Sequence, residues 1–185
     1  NNIKNFIFIS SAKVYGEESQ KNSFFDERDV PNPQQKYSIS KYDAELKLFK
    51  KFKTSYTNLT IIRPPVIFGK VPNGNFKLLI LAVKNYIPIP ISKTPNLRSF
   101  LGSENLCLFI ENLLKRKKKG NLIYNLSDGK PISTKTLTDT IGKALNKKVR
   151  YIFFPDCVLK FLFKLPIISN IFKPLFKNFV ITSLH

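Results

Sequence analysis

Three short apolar runs constrain the architecture: Phe6-Ile7-Phe8-Ile9, Leu59-Thr60-Ile61-Ile62 and Leu122 to Leu126. The first is continuous, without the alternation of a half-solvated strand, and fits a strand covered on both faces, as in a parallel sheet, while the other two read as further strands. Between the first two lies Tyr37 to about Lys53, where Tyr37, Lys41, Ala44, Leu48 and Phe52 recur at helical spacing. Asn75 to about Tyr86 and Ser103 to about Arg116 read as further helices, and Ser133 is placed to cap another that runs to about Leu145. Pro88-Ile89-Pro90, Arg98 to Leu101 and Val149 to Phe153 read as extended pieces, and the polar, proline-bearing segment from Glu17 to Gln35 as a loop. Strand alternating with helix predicts an α/β layered domain. No internal repeat and no clear linker divides the chain.

The 185 residues are 43% hydrophobic and 13% aromatic, which suits a folded body with a core rather than a disordered chain. The sole histidine is His185, so a Ser-His-Asp triad, a Cys-His pair or a His-rich zinc site has no imidazole to use. Cys107 and Cys157 are too few for a disulfide framework and have no metal-ligand spacing around them, so they read as structural thiols in a reducing, cytoplasmic setting. The net charge is +19, but lysines are scattered along the whole chain. Their one dense run, Lys115-Arg116-Lys117-Lys118-Lys119 before Gly120, reads as the solvated end of a helix, where cations suit the dipole. With Asn, Ile and Phe also abundant, the charge reads as generic composition, and no specific nucleic-acid partner is expected.

From Tyr151 to Val180 the chain is apolar, but Asp156, Lys160, Lys164, Lys173 and Lys177 interrupt it, as do Pro155, Pro166 and Pro174. That is no membrane span, although a basic amphipathic tail of this kind allows peripheral contact with a membrane surface. Methionine is absent and the chain begins at once with a strand pattern, so it is expected to be an excised or truncated fragment. None of its seven glycines forms a G-x-G-x-x-G turn for cradling phosphates.

The strongest chemical feature is Tyr37-Ser38-Ile39-Ser40-Lys41. Tyr and Lys four apart share one helix face. An ammonium beside a phenol favours the phenolate, which makes tyrosine a general acid/base for a sugar hydroxyl or carbonyl. Spacing alone leaves a helix-surface pair as the simpler reading. The context is more specific. Ser11 ends a strand, and ligands bind at strand ends in doubly wound sheets.

The run from Phe6 through Ser10-Ser11-Ala12-Lys13-Val14-Tyr15-Gly16, followed by Tyr37-Ser38-Ile39-Ser40-Lys41, resembles the extended short-chain dehydrogenases/reductases of the NAD-dependent epimerase/dehydratase family. That family carries a hydrophobic strand, S-S-x-x-V-Y-G, and then Y-x-x-S-K. Ile62-Arg63-Pro64-Pro65-Val66-Ile67-Phe68-Gly69 is similar to its R-P-x-x-V/I-Y-G segment, and Asn73-Gly74-Asn75-Phe76 to its G-N-F. Asn96-Leu97-Arg98-Ser99-Phe100 with Glu104-Asn105-Leu106, then Leu126-Ser127-Asp128-Gly129 through Ser133 to Leu137, continue the likeness in order over nearly the whole chain. Val66 and Gly102 depart from the usual residues of many 4-epimerases, and the Arg-Pro-Pro form is similar to that of relatives acting as ketoreductases.

The resemblance implies a Rossmann-like, doubly wound parallel sheet lacking its N-terminal strands, with an exposed sheet edge and a small substrate-binding α/β lobe. Residues 1–72 would be the end of the NAD(P)-binding domain. Residues 73–185 would be mainly the lobe, with about 98–126 returning to the first domain. It implies Ser11, Tyr37 and Lys41 as catalytic residues. Ser10, Tyr37, Lys41 and Pro64 would meet NAD or NADP, and Ser11, Asn75, Phe76 and Arg98 a UDP- or dTDP-sugar. The implied activity is C4 modification of a nucleotide-activated hexose by an epimerase. The alternatives are a 4-keto-sugar reductase or dehydratase of the same family, or an inactive basic fragment that binds membrane or nucleic acid. A homodimer is allowed for the full-length protein.

Overall fold

The computed structural model describes residues 3–20, 23–72, 74–92, 96–115, 120–155, 158 and 177–182. In chain order they form β1 (Asn5–Ile9), a 3-10 turn (Ala12–Tyr15), α1 (Lys36–Phe52), β2 (Asn58–Arg63), β3 (Val66–Phe68), α2 (Gly74–Lys84), β4 (Ile89–Ser92), β5 (Phe100–Gly102), α3 (Ser103–Lys115), β6 (Leu122–Asn125), α4 (Thr134–Ala144) and β7 (Tyr151–Phe154). Two compact units result: Asn1–Gly69 with Ser99–Lys130 and Phe179–His185, and Lys70–Arg98 with Pro131–Asn178.

The first unit is built on a parallel sheet in the order β1-β2-β6, with β1 and α1 leading into β2. In the central strand β2, Leu59, Ile61 and Ile62 are fully buried. Each contributes about 1.5–3 kcal/mol of burial energy. Strand β1 is more exposed than an apolar run buried on both faces would be, because it lies at the edge of this sheet and Phe6 and Ile9 reach solvent. Strand β3 pairs in parallel with β5, and Leu101 of β5 packs in one core cluster with Ile62, Leu106 and Leu126. A second cluster, Ala12, Val14, Tyr15, Phe179 and Ile181, forms around the 3-10 turn, where Phe25 bridges to Ile181.

Helix α1 starts where Ser38 exchanges two hydrogen bonds with Gln35. The Gln35 N–H donates to Ser38 Oγ at 3.2 Å, and Ser38 Oγ donates to the Gln35 carbonyl at 3.0 Å. This reciprocal arrangement satisfies groups a helix start leaves open, and gives Ser38 a structural role within the Tyr-Ser-Ile-Ser-Lys segment. In the second unit, β4 pairs in parallel with β7, and α2 packs on α4. Ser133 caps α4 as its sequence predicts, accepting from the Thr136 N–H at 2.9 Å.

Candidate functional site

In a parallel sheet the functional end is the carboxyl end of the strands, and that is where the first unit gathers its chemistry. Ser10 and Ser11 follow β1. The Ser10 N–H donates to the Ile62 carbonyl at 2.8 Å, and the Ala12 N–H to the Pro64 carbonyl at 2.8 Å, so the exits of β1 and β2 are laced together. Both serines are buried. Ser11 Oγ accepts from the Lys13 N–H at 3.3 Å and so starts the 3-10 turn. Ser10 Oγ has no hydrogen-bond partner among the described residues, an unusual condition for a buried hydroxyl.

Helix α1 brings the other two groups. Lys41 Nζ donates to the Ile9 carbonyl at 2.9 Å and lies 5.0 Å from the Phe8 ring centroid. The ammonium is therefore tied to the strand end one residue before Ser10. It also stands 5.9 Å from the Tyr37 ring centroid, and Tyr37 is 56% exposed. The structure thus brings Ser10, Ser11, Tyr37, Lys41 and Pro64 to one end of one sheet. What it offers chemically is an accessible phenol beside a fixed ammonium, next to two strand-end hydroxyls.

The remaining three predicted residues fall in the second unit. Asn75 and Phe76 are half-buried in the first turn of α2, while Asn73 lies outside the described residues. Arg98 is buried rather than presented on the surface. Its N–H donates to the Ile132 carbonyl at 3.0 Å and its Nη1 to the Lys177 carbonyl at 3.1 Å. Among the described residues no group of three His, Cys, Asp or Glu side chains could hold a metal ion. Cys107 is an exposed free thiol on α3, and Cys157 and His185 lie outside the described residues. So does most of the basic apolar tail. No helix among the described residues is long and apolar enough to cross a membrane.

A buried network that sequence reasoning missed holds this site from behind. Glu45, one helical turn beyond Lys41, is fully buried and forms a two-pronged ion pair with Arg63 at the end of β2. Arg63 Nε donates to Glu45 Oε1 at 3.1 Å, and Nη2 to Oε2 at 2.5 Å. Arg63 Nη1 donates to the Tyr15 hydroxyl at 2.9 Å, and that hydroxyl donates to Asn125 Oδ1 at 3.0 Å. The Asn125 N–H in turn donates to Glu27 Oε1 at 2.8 Å. Burial pushes the Tyr15 phenol above its ordinary range, against the pull of the neighbouring Arg63 cation. Burial also opposes the Arg63 charge, but the Glu45 hydrogen bonds prevail and hold its pKa above the usual value. One polar chain therefore joins the ends of β2 and β6, the 3-10 turn and α1. The available signal was spacing: Tyr37, Lys41 and Glu45 stand at i, i+4 and i+8.

The likenesses to known proteins agree with this layout. A UDP-glucose 4-epimerase of Vibrio cholerae is 36% identical over 146 residues, covering 78% of this chain and 44% of that protein. An N-acetyl-alpha-D-glucosaminyl-diphospho-ditrans,octacis-undecaprenol 4-epimerase of Escherichia coli O157:H7 is 32% identical over 157 residues, covering 84% of this chain and 46% of that protein. The chain spans about half the length of the curated relatives it matches. The crystal structure of UDP-glucuronic acid 4-epimerase from Bacillus cereus, in complex with NAD, shares the fold with a TM-score of 0.69 at 22% identity, over 82% of this chain and 50% of that one. The model of the NAD dependent epimerase/dehydratase family matches residues 1–127, the stretch that holds the strand-end serines, the Tyr-Lys helix and the Arg63 network. This chain belongs to the NAD dependent epimerase/dehydratase family.

Proposed function

We propose that the chain carries the proton-handling part of a nucleotide-sugar 4-epimerase. The observation behind this reading is the tether of Lys41 Nζ to the Ile9 carbonyl, which fixes the Tyr37-Lys41 face of α1 beside Ser10 and Ser11. Both curated relatives described above are named as 4-epimerases, which favours epimerisation over reduction or dehydration.

In this reading Tyr37 Oη takes the proton of the sugar 4-hydroxyl and returns it after the sugar has turned over. Ser11 Oγ has its oxygen lone pairs partly engaged by the Lys13 N–H, and its own O–H donates to the reacting oxygen. Lys41 keeps one ammonium proton on Ile9 O and offers others to a ribose hydroxyl. Ser10, with its unsatisfied buried hydroxyl, and Pro64 border the same place. These groups fit the nicotinamide-ribose end of NAD or NADP, while this sequence holds no glycine-rich turn for the diphosphate. The bound coenzyme would supply reversible hydride exchange with the sugar C4. Residues 1–72, with the elements returning from about 98–126, would serve the coenzyme side. Asn75 and Phe76, within 73–185, would meet the UDP- or dTDP-sugar, and Arg98, buried with its Nη1 on the Lys177 carbonyl, would have to give up that contact to reach the phosphate oxygens. A cytoplasmic location belongs to the same reading.

The test is to follow UDP-glucose, UDP-N-acetylglucosamine and a UDP-4-keto-sugar by NMR, with and without NADPH, using the protein expressed from the natural gene that carries this chain. Interconversion of C4 epimers with no net coenzyme use, lost in Tyr37→Phe, supports the epimerase. NADPH consumption confined to the keto-sugar would replace it with a reductase. Full activity in Tyr37→Phe would remove Tyr37 from the chemistry.

A further inference from the structure

The positive charge of this protein is unevenly divided. Of its 31 lysines and arginines and 12 acids, fourteen cations but only two acids, Asp139 and Asp156, fall in residues 70–98 and 131–178. A general lysine-rich composition would raise cations everywhere, and it does not explain why acids are so scarce in one unit alone. Asp139 is moreover engaged within its own unit, accepting from Lys135 Nζ at 2.7 Å and from the Tyr151 hydroxyl at 2.5 Å.

On that cationic body one patch combines charge with exposed carbon. The Tyr86 ring has Lys147 Nζ 4.7 Å and Arg150 Cζ 5.6 Å from its centroid, and Lys147 Nζ also donates to the Tyr86 hydroxyl at 3.0 Å. Tyr86 has φ +56 because it is the left-handed residue that ends α2: the Ile87 N–H donates to the Ala82 carbonyl at 2.9 Å and the Tyr86 N–H to the Val83 carbonyl at 3.2 Å, which fixes where the ring leaves the helix. Beside it Ile87 is 51% exposed. The Ile89 N–H donates to the Arg150 carbonyl, which continues the patch into β7, where Ile152, on the same face as Arg150, is 44% exposed.

We propose that Tyr86, Ile87, Lys147, Arg150 and Ile152 form a docking surface for an anionic phospholipid bilayer. Cations at the headgroup level with aromatic and aliphatic side chains among them are the composition an interfacial surface needs. A nucleic acid fits less well. Its phosphates call for the cations but not for Ile87 and Ile152, and the Tyr86 ring, engaged by Lys147 and Arg150, is poorly placed to stack on a base. This surface lies apart from the basic tail in sequence and consists only of described residues.

The experiment is flotation of the protein with vesicles of phosphatidylglycerol and phosphatidylcholine, against vesicles of phosphatidylcholine alone. Binding only to the anionic vesicles is expected, and Lys147→Gln/Arg150→Gln should weaken it by about 30-fold, roughly fivefold per cation. Ile87→Ser/Ile152→Ser should weaken it by about tenfold or more and abolish the part that survives high salt. Lys50→Gln/Lys51→Gln, which removes the same charge from exposed positions on α1, should leave it unchanged. Circular dichroism of each variant confirms folding. Three results would overturn the proposal: equal binding to neutral vesicles, binding indifferent to both patch variants, or tighter capture by duplex DNA at equal phosphate concentration.

Discussion

Replacing Glu45 with glutamine keeps the shape of the side chain and removes its charge. Arg63 is 3% exposed and Glu45 fully buried, so the guanidinium would stay in the core facing an amide oxygen, the Tyr15 hydroxyl and no counter-charge. Removing one partner of a buried pair costs about 3–5 kcal/mol. The amide can still accept one hydrogen bond, so the expected loss is at the lower end, about 3 kcal/mol. Against a domain stability of about 5–15 kcal/mol this is severe. At a urea dependence of about 2 kcal/mol per molar, the unfolding midpoint should fall by about 1.5 M. The assay is urea unfolding followed by far-ultraviolet circular dichroism. The double variant Glu45→Met/Arg63→Met, which leaves no charge behind, should return to within about 1 kcal/mol of the parent. A loss below about 1 kcal/mol in Glu45→Gln, or a double variant no better than the single, would refute the view that this pair anchors α1.

Other substitutions probe both units. A Cβ at Gly142 would lie 2.6 Å from Val149 Cγ2 and 2.9 Å from the Lys147 carbonyl oxygen. Because backbone cannot swing aside, Gly142→Ala should cost about 1–3 kcal/mol through overpacking, measured as a lower Tm. Ser133→Ala removes the acceptor for the Thr136 N–H and should cost about 1 kcal/mol in the same assay. Tyr15 gives an alkaline dependence. Its folded-state pKa is raised by burial, so the stability it contributes is complete below the ordinary phenol pKa of about 10 and is lost as pH rises toward the folded value. Stability measured by urea unfolding across that range should decline in the parent and decline less steeply in Tyr15→Phe.

Local chemistry made much of this fold legible. The helical spacing from Tyr37 to Phe52 predicts α1 to within a residue of Lys36–Phe52, and the serine before Thr134 predicts the start of α4. The pairing of β3 with β5 was not legible. Three-residue strands carry no usable period, and Pro64-Pro65 reads as the end of a strand rather than as the gap between two. Phe6 to Ile9 reads as a strand covered on both faces, and among the described residues β1 has a neighbour on one side only, which is the exposed edge the resemblance implies. Ser10, Ser11, Tyr37, Lys41 and Pro64, the candidates that motif order offers, lie at one end of one sheet. Glu45 did not stand out in that way, because its importance lies in Arg63, eighteen residues away, and in the burial of both. The burial of Arg98 against the carbonyls of Ile132 and Lys177 was equally hidden, because a lone arginine in sequence gives no sign of which backbone it will meet.

The proposed chemistry stands on a hydrogen that leaves C4 of the sugar and comes back to it while Tyr37 holds the hydroxyl proton. The most direct measurement uses UDP-glucose deuterated at C4 with the protein expressed from its natural gene. Deuterium should be found at C4 of the epimer, and Tyr37→Phe should still bind the nucleotide sugar while forming no epimer. Washout of the deuterium into solvent, or epimer formation by Tyr37→Phe at the parent rate, would contradict the assignment.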